Sequence, residues 1–209
     1  MKLYRLNKIV LNFKNNAAQI LNGLTSNEMD KPRNAFLNIH GRIIATFDQF
    51  KVSDDEVTVI LEEKYVDLTL EHLDRYLRLG GVKVEKLNRN VYFDLEKGQP
   101  IVTIEESRPN VTEDEFTLFR LCHHIPLQGV DYTDEFILNV SDKDFVSFTK
   151  GCFLGQEPVA KVHNRSKPSW KLVVKSENDC TDEELPKLTS KVLDPETGKW
   201  MGFVFVRNS

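Results

Sequence analysis

Residues 147–161 read "SFTKGCFLGQEPVAK", and this stretch decides how the chain is interpreted. It crowds a lysine, a cysteine, a glutamine and a glutamate around two glycines. If "FTKGC" runs extended, Lys150 and Cys152 stand two apart and project from the same face. An ammonium beside a thiol favours the thiolate. A helix starting near Glu157 adds backbone N–H groups of the same electrostatic sign, and "EPVAKVH" fits such a helix with Pro158 in its first turn. Gly151 and Gly155 let a ligand or another backbone segment come close. Glu157 can accept two hydrogen bonds from a planar N–H edge, and Gln156 can both donate and accept. These residues suit a polar, planar ligand beside a thiol. They equally suit a buried sulfur, a solvated lysine and two turn glycines, because free cysteines are among the most buried side chains.

The totals narrow the choice. A chain of 209 residues makes one large domain or two to three small ones. With 40% apolar and 29% charged residues it builds a core and is not a disordered chain. A net charge of -4 argues against a dedicated nucleic-acid binder. Three scattered cysteines, Cys122, Cys152 and Cys180, argue against a disulfide framework and for a reducing compartment. The first residues, "MKLYRLNKIVLNF", hold no apolar signal core, and no run approaches 18 apolar residues. The expectation is a cytoplasmic protein with neither nucleic acid nor membrane as partner. No coiled coil or long apolar stripe is visible, so a monomer is expected.

Along the chain, "NKIVLNF" reads as a strand and "NNAAQILNGL" as a short helix capped by Asn15 or Asn16 and stopped at Gly23. "RNAFLNIHGRIIATFDQFKV" reads as a hairpin turning at His40-Gly41, and "EVTVILE" as a strand. Val66, Leu70, Leu73 and Leu77 fall at helical spacing, and Gly80-Gly81 ends that helix. "VKVEKL", "NVYFDL" and "PIVTIEE" follow as strands, which makes residues 51–106 a ferredoxin-like α+β unit. Thr112 and Glu115 form a capping box ahead of a helix bearing Phe116 and Phe119. The tail reads as strands with a turn at 194–198.

"SFTKGCFLGQEPVAK" strongly resembles the K-G-C-[FY]-x-G-Q-E signature of the YgfZ family, folate-binding proteins related to the aminomethyltransferase, or T-protein, of the glycine cleavage system. "ILNGLTSNEM" is similar to that family's L-T-[TS]-N-D segment, "AFLNIHGRIIATFDQFKV" to its G-R-[IL]-x-x-x-F hairpin, and "FRLCHHIPLQGVD" to its R-[IL]-x-x-G-I-P-x-x-G segment. The resemblance runs from about residue 6 to 175. It implies a T-protein-like arrangement of small α+β units around a central cleft that holds a tetrahydrofolate. Residues 1–50 and 107–165 would form a discontinuous folate-binding core, 51–106 the ferredoxin-like insert, and 166–209 a shortened C-terminal β-barrel-like segment. The implied role is support of iron–sulfur cluster assembly or repair in client enzymes, with those enzymes or assembly proteins as partners. Carried onto this chain, Cys152 and Lys150 are the reactive pair. Thr25, Asn27, Arg42, Gly151, Gly155, Gln156 and Glu157 border the folate, and Arg120 pairs with its carboxylates. No carboxylate stands at Ala45 or Thr46, where the T-protein carries an aspartate pair. That weighs against aminomethyl transfer unless Asp48 or Glu157 supplies the charge, and one-carbon transfer is the alternative activity.

The remaining charged and metal-binding candidates are weaker. Cys122, His123 and His124 lie too close along a helix to meet one ion together, and no metal is expected. The basic stretch Lys161, Arg165, Lys167, Lys171 is either a solvated surface or a funnel for an anionic folate tail.

Overall fold

The protein is described here from a computed structural model covering residues 1–141 and 143–208. Eleven strands form three antiparallel sheets among these residues. The largest contains β2 (Lys8–Lys14), β3 (Arg33–Leu37), β4 (Ile43–Lys51), β5 (Glu56–Glu62) and β6 (Lys83–Leu87), in the order β3-β4-β5-β2-β6. Helix α1 (Ala17–Asn22) follows β2, and α2 (Val66–Gly80) connects β5 to β6. This is a ferredoxin-like β-α-β-β-α-β unit with β3 added at one edge.

That unit spans residues 8–87 and crosses the boundary expected at residue 50. The strands of 51–106 do not form one sheet of their own. β5 and β6 both flank β2, whereas β7 (Asn90–Asp94) and β8 (Gln99–Thr103) join β1 (Leu3–Leu6) in the order β1-β7-β8. Local alternation marks a strand but not its neighbours, and the strand that separates β5 from β6 is contributed by the first fourteen residues.

The large sheet has two different faces. Leu11, Phe13, Ala45, Phe47, Val59 and Leu61 point to α1 and α2, where Leu21, Leu73 and Leu77 close the core. Gly81 ends α2 at φ +69, its N–H donating to Leu77 and Arg78 carbonyls. On the other face, Val10 and Ile60 pack on Val91 of β7. The same face also carries the polar Lys8, Thr46, Asp48 and Glu62, each displaced by one residue from an apolar neighbour.

Helix α3 (Glu113–Cys122) begins at Thr112, whose hydroxyl accepts from Glu115 N while the Glu115 carboxylate accepts from Thr112 N at 2.7 Å. Phe116 stacks on Tyr4 with centroids 4.2 Å apart and meets Phe93 at 5.4 Å, which fixes α3 on the β1-β7-β8 sheet. Helices α4 (Ile137–Val140) and α5 (Gln156–Arg165) build a second core with Leu37, Ile43, Leu121 and Val159. Strands β9 (Trp170–Ser176), β10 (Thr189–Leu193) and β11 (Trp200–Arg207) form the third sheet, order β10-β11-β9, and contribute Leu172, Val192 and Phe203 to that core. No helix among the described residues is long and apolar enough to cross a membrane.

Arg120 and Asp131 lock this last sheet in place. Arg120 Nη1 donates to Asp131 Oδ2 at 2.8 Å, and both side chains are almost fully buried. Asp131 also accepts from Leu127 N, Thr189 Oγ1 and Ser190 Oγ, while Arg120 Nη2 reaches Ser190 Oγ at 2.6 Å. Breaking a buried pair leaves an uncompensated charge, so Asp131→Asn should cost about 3–5 kcal/mol. The exposed pair Arg42–Asp134, at 3.3 Å, should lose under about 1 kcal/mol on Asp134→Asn. Urea unfolding of both variants checks this, and equal losses would refute the assignment.

Candidate functional site

The two segments singled out by resemblance meet. Ser147 N donates to Ser26 O at 2.9 Å, Ser26 Oγ to Phe145 O at 2.6 Å, and Asn27 Nδ2 to Asp144 O at 3.0 Å. Thr25 and Asn27 are buried, and their carbonyls both receive the Lys150 ammonium at 2.7 Å. Lys150 is therefore a clamp that points inward and lies over the Phe153 ring. Burial pulls its ammonium down to about 8, with the nearby Glu28 opposing. Glu28 is itself held as a carboxylate, below the ordinary glutamate range, chiefly by the Ser147 hydroxyl and then by Thr149. Cys152 is exposed. Lys150 and Cys152, expected to act together from one face, are turned to different environments. Two carbonyls take the ammonium, because a half-buried cation needs hydrogen-bond acceptors.

Gly155 opens α5 at φ +83, and a Cβ there would run into the Asn38 carbonyl. Gly151 has open space on its missing side chain's side. Gln156 is half-buried and Glu157 exposed at the first turn of α5. Arg42 lies on the surface with Asp134. The resemblance gives Arg120 to the folate carboxylates; its Nη atoms donate to Asp131, Ile125 O and Ser190 Oγ, while its buried Nε has no hydrogen-bond partner among the described residues. The "FILNVSDKD" segment includes Asp142, which lies outside the described residues. Cys122 is exposed and His124 adopts φ +52. Among the described residues no group of three His, Cys, Asp or Glu is placed to hold a metal.

The chemistry-bearing cleft is elsewhere, on the polar face of the large sheet. Lys8, Arg33, Asp48 and Glu62 line it with Thr46, Gln128, Tyr132, Phe93, Phe116 and Phe145. Lys8 Nζ lies 3.0 Å from Asp48 and 3.8 Å from Glu62, and Arg33 lies 3.9 Å from Asp48. Glu62 faces Lys8 across the β2–β5 ladder and accepts no hydrogen bond among the described residues. Burial raises the Glu62 carboxyl above the ordinary range, more than Lys8 lowers it. At Thr46 the cleft floor is neutral. Its hydroxyl bonds Tyr132 OH at 2.7 Å and its N–H donates to Gln128 at 2.8 Å. Desolvation pushes the Tyr132 phenol well above its usual range.

The centre of this cleft is narrow, about 40 Å3, room for a few waters. Two wider clefts adjoin it through shared wall residues. One, about 430 Å3, shares Leu6, Glu62, Phe116 and Leu127 with the centre. The other, about 290 Å3, shares Arg33 and Asp48 and reaches Asn27. The basic stretch after α5 borders neither. Its Lys167 lines a separate surface cleft with Trp170 and Arg207.

Sequence reading missed Lys8, Arg33, Glu62 and Tyr132. The usable signal was charge within the strand runs: Lys8 heads "KIVLNFK" and Glu62 ends "EVTVILE", both on the face that alternation assigns away from the helices.

No protein-family model matches the sequence, and no curated protein matches it. Its fold is nevertheless that of a known enzyme. The chain superposes on glycine cleavage system aminomethyltransferase T from Bartonella henselae with a TM-score of 0.75, over 99% of this chain and 78% of that one, at 12% identity. A T-protein-like fold is thereby shown; at that identity the likeness concerns the fold alone.

Two outcomes test the loop. Gly155→Ala should lose about 2 kcal/mol or more, since it adds left-handed strain and a backbone clash, while Gly151→Ala should be near neutral in the same unfolding assay. For Lys150, the folded value of about 8 lies below the unfolded ~10.4. Between them the unfolded chain holds the extra proton, so this contribution to stability grows as pH rises and is lost as pH falls through 8. Urea unfolding at pH 7 and pH 9.5 should show wild type gaining on Lys150→Gln at the higher pH; an unchanged difference would count against a desolvated lysine.

Proposed function

We propose that this protein binds a tetrahydrofolate in the central cleft and serves iron–sulfur enzymes, with Cys152 as an external thiol. The observation that carries the folate reading is Glu62. It is a partly desolvated carboxylate with no hydrogen-bond partner among the described residues, set where the narrow centre meets the 430 Å3 cleft. A pterin edge presents two in-plane N–H donors, which one carboxylate accepts together. Tyr4 and Phe116, already stacked, offer flat apolar walls beside it. The groups present fit a folate. The narrow centre has to widen for a ligand to pass through it.

The iron–sulfur part rests on the resemblance of the "KGCFLGQE" loop to the YgfZ signature. The exposure of Cys152 supports it, since a thiol outside the cleft meets a partner protein from solvent. Client enzymes or assembly proteins are the partners this reading implies.

Asp48 gives a second reading some ground. It brings a carboxylate to the cleft wall that Ala45 and Thr46 do not provide, as folate-dependent one-carbon transfer would need. Two cations flank it, Lys8 at 3.0 Å and Arg33 at 3.9 Å, which fix its place on the cleft wall. An aminomethyl-transfer assay with glycine-cleavage partner proteins separates the two readings.

Calorimetric titration with tetrahydrofolate tests the binding itself. Wild type and Cys152→Ser should bind alike. Glu62→Gln should bind about 10–100-fold more weakly, the worth of a charge-assisted pair. The same variant should be more stable at pH 7, because a carboxyl whose folded pKa is raised costs stability once ionised. Absence of saturable binding to wild type would overturn the folate reading.

A further inference from the structure

The narrow centre has to widen for a ligand to enter, and its walls are not equally free to give. Among the described residues that line it, those on β1 to β5, β7 and α3 sit in hydrogen-bonded elements. The stretch 125–132 is held by Asp131, which accepts from Arg120 and Leu127 N, and by Gln128, which donates to Ile44 O and Thr133 O. Phe145 is the exception. It lies between α4 and α5 in neither helix nor strand, seven positions before Cys152.

The segment that carries Phe145 rests on one short strip. Ser26 Oγ donates to Phe145 O at 2.6 Å, Asn27 Nδ2 to Asp144 O at 3.0 Å, and Ser147 N to Ser26 O at 2.9 Å. The Ser147 and Thr149 hydroxyls donate to Glu28. Among the described residues, the hydrogen bonds that 144–149 makes to distant parts of the chain all end on 26–28. An ion pair at 3.9 Å adds Arg33 of β3 to Asp144. The same strip holds the thiol loop, since Thr25 O and Asn27 O take the Lys150 ammonium. The give in the cleft wall and the support of the thiol are therefore one run of chain on one bed.

We infer that occupation of the cleft raises the reactivity of Cys152. The inference rests on the folate reading above and adds a regulation to that site: ligand and thiol are coupled through Phe145 and the 25–28 strip. A ligand that fits only the widened centre selects it. Widening at Phe145 draws its carbonyl off Ser26 and loosens the hold of Asn27 on Asp144, so the run leading to Lys150 slackens. Lys150 then leaves its two carbonyls more often. Its ammonium becomes available to the thiol two positions on, where it favours the thiolate.

The double substitution Cys122→Ser, Cys180→Ser leaves Cys152 as the one thiol. Its alkylation by iodoacetamide is followed by intact mass, in the absence of air, with and without saturating tetrahydrofolate. Calorimetry under the same conditions reports binding. Bound ligand should speed alkylation about fivefold or more, the lower range of coupling between sites. Phe145→Leu leaves room in the centre, and Ser26→Ala cuts the tie to Phe145 O. Each should still bind tetrahydrofolate and show a smaller gain. Circular dichroism checks that both fold, and either one alone suffices. Binding with an unchanged rate, a rate slowed by ligand lying over the thiol, or a gain undiminished in the folded variants overturns the coupling while folate binding stands. Absence of saturable binding removes the folate reading and this inference with it.

Discussion

One constraint shapes the cleft: the five-stranded sheet has one face that apolar side chains seal completely and a second that they cover only in part. α1 and α2 seal the face carrying Leu11, Phe13, Phe47 and Leu61. The opposite face carries Val10 and Ile60 in its middle but Lys8, Asp48 and Glu62 beside them. Sealing three ionised groups under an apolar layer would cost far more than the area gained. The β1-β7-β8 sheet therefore touches this face only through Val91, Leu6 and Val102. A gap remains where the charges stand. The cleft is thus what is left when a sheet with mixed polarity is packed as far as its chemistry permits.

The second requirement is that the far wall stay in place. α3 and the loop after it form that wall, and they are held by Asp131, whose oxygens receive a guanidinium, a backbone N–H and two hydroxyls. The hydroxyls belong to β10, so the C-terminal sheet is tied to the cleft through this one carboxylate. Gln128 and Tyr132, one on each side of Asp131 in sequence, then reach across to Thr46 and close the floor. An arginine that a motif comparison assigns to a ligand here positions the residues that face it.

Legibility in the sequence divided along the same physical line. Features set by local chemistry were readable: the Thr112–Glu115 box, the glycine turn at His40-Gly41, the helix marked by Val66, Leu73 and Leu77, and α5 with Pro158 in its first turn. The T-protein-like fold was reachable through the spaced segments around Thr25, Gly41, Arg120 and Cys152, and the structural likeness supports it. Partnership between strands was not readable, because alternation gives each strand a face but no neighbour. That is why the ferredoxin-like unit was placed at 51–106 and is found at 8–87. The same limit hid the cleft. Lys8 and Glu62 are 54 positions apart and become a pair only through the β2–β5 register.

Cleft and thiol stand on different segments in this architecture. The Cys152 loop takes its shape from contacts outside the cleft centre: Lys150 on two carbonyls, Glu28 on the Ser147 and Thr149 hydroxyls, and Gly155 against Asn38. The wall common to loop and cleft is Asn27, whose carbonyl holds Lys150 and whose side chain joins Arg33 O to Asp144 O while bordering the lysine-lined cleft. That side chain makes three hydrogen bonds, donating to Arg33 O and Asp144 O and accepting from Glu28 N, and Asn34 holds its backbone on both sides, so it is fixed in place. The Cys152 loop is accordingly tied to the cleft wall through Asn27 and, by way of Ser26 and Asn27, to Phe145 and Asp144.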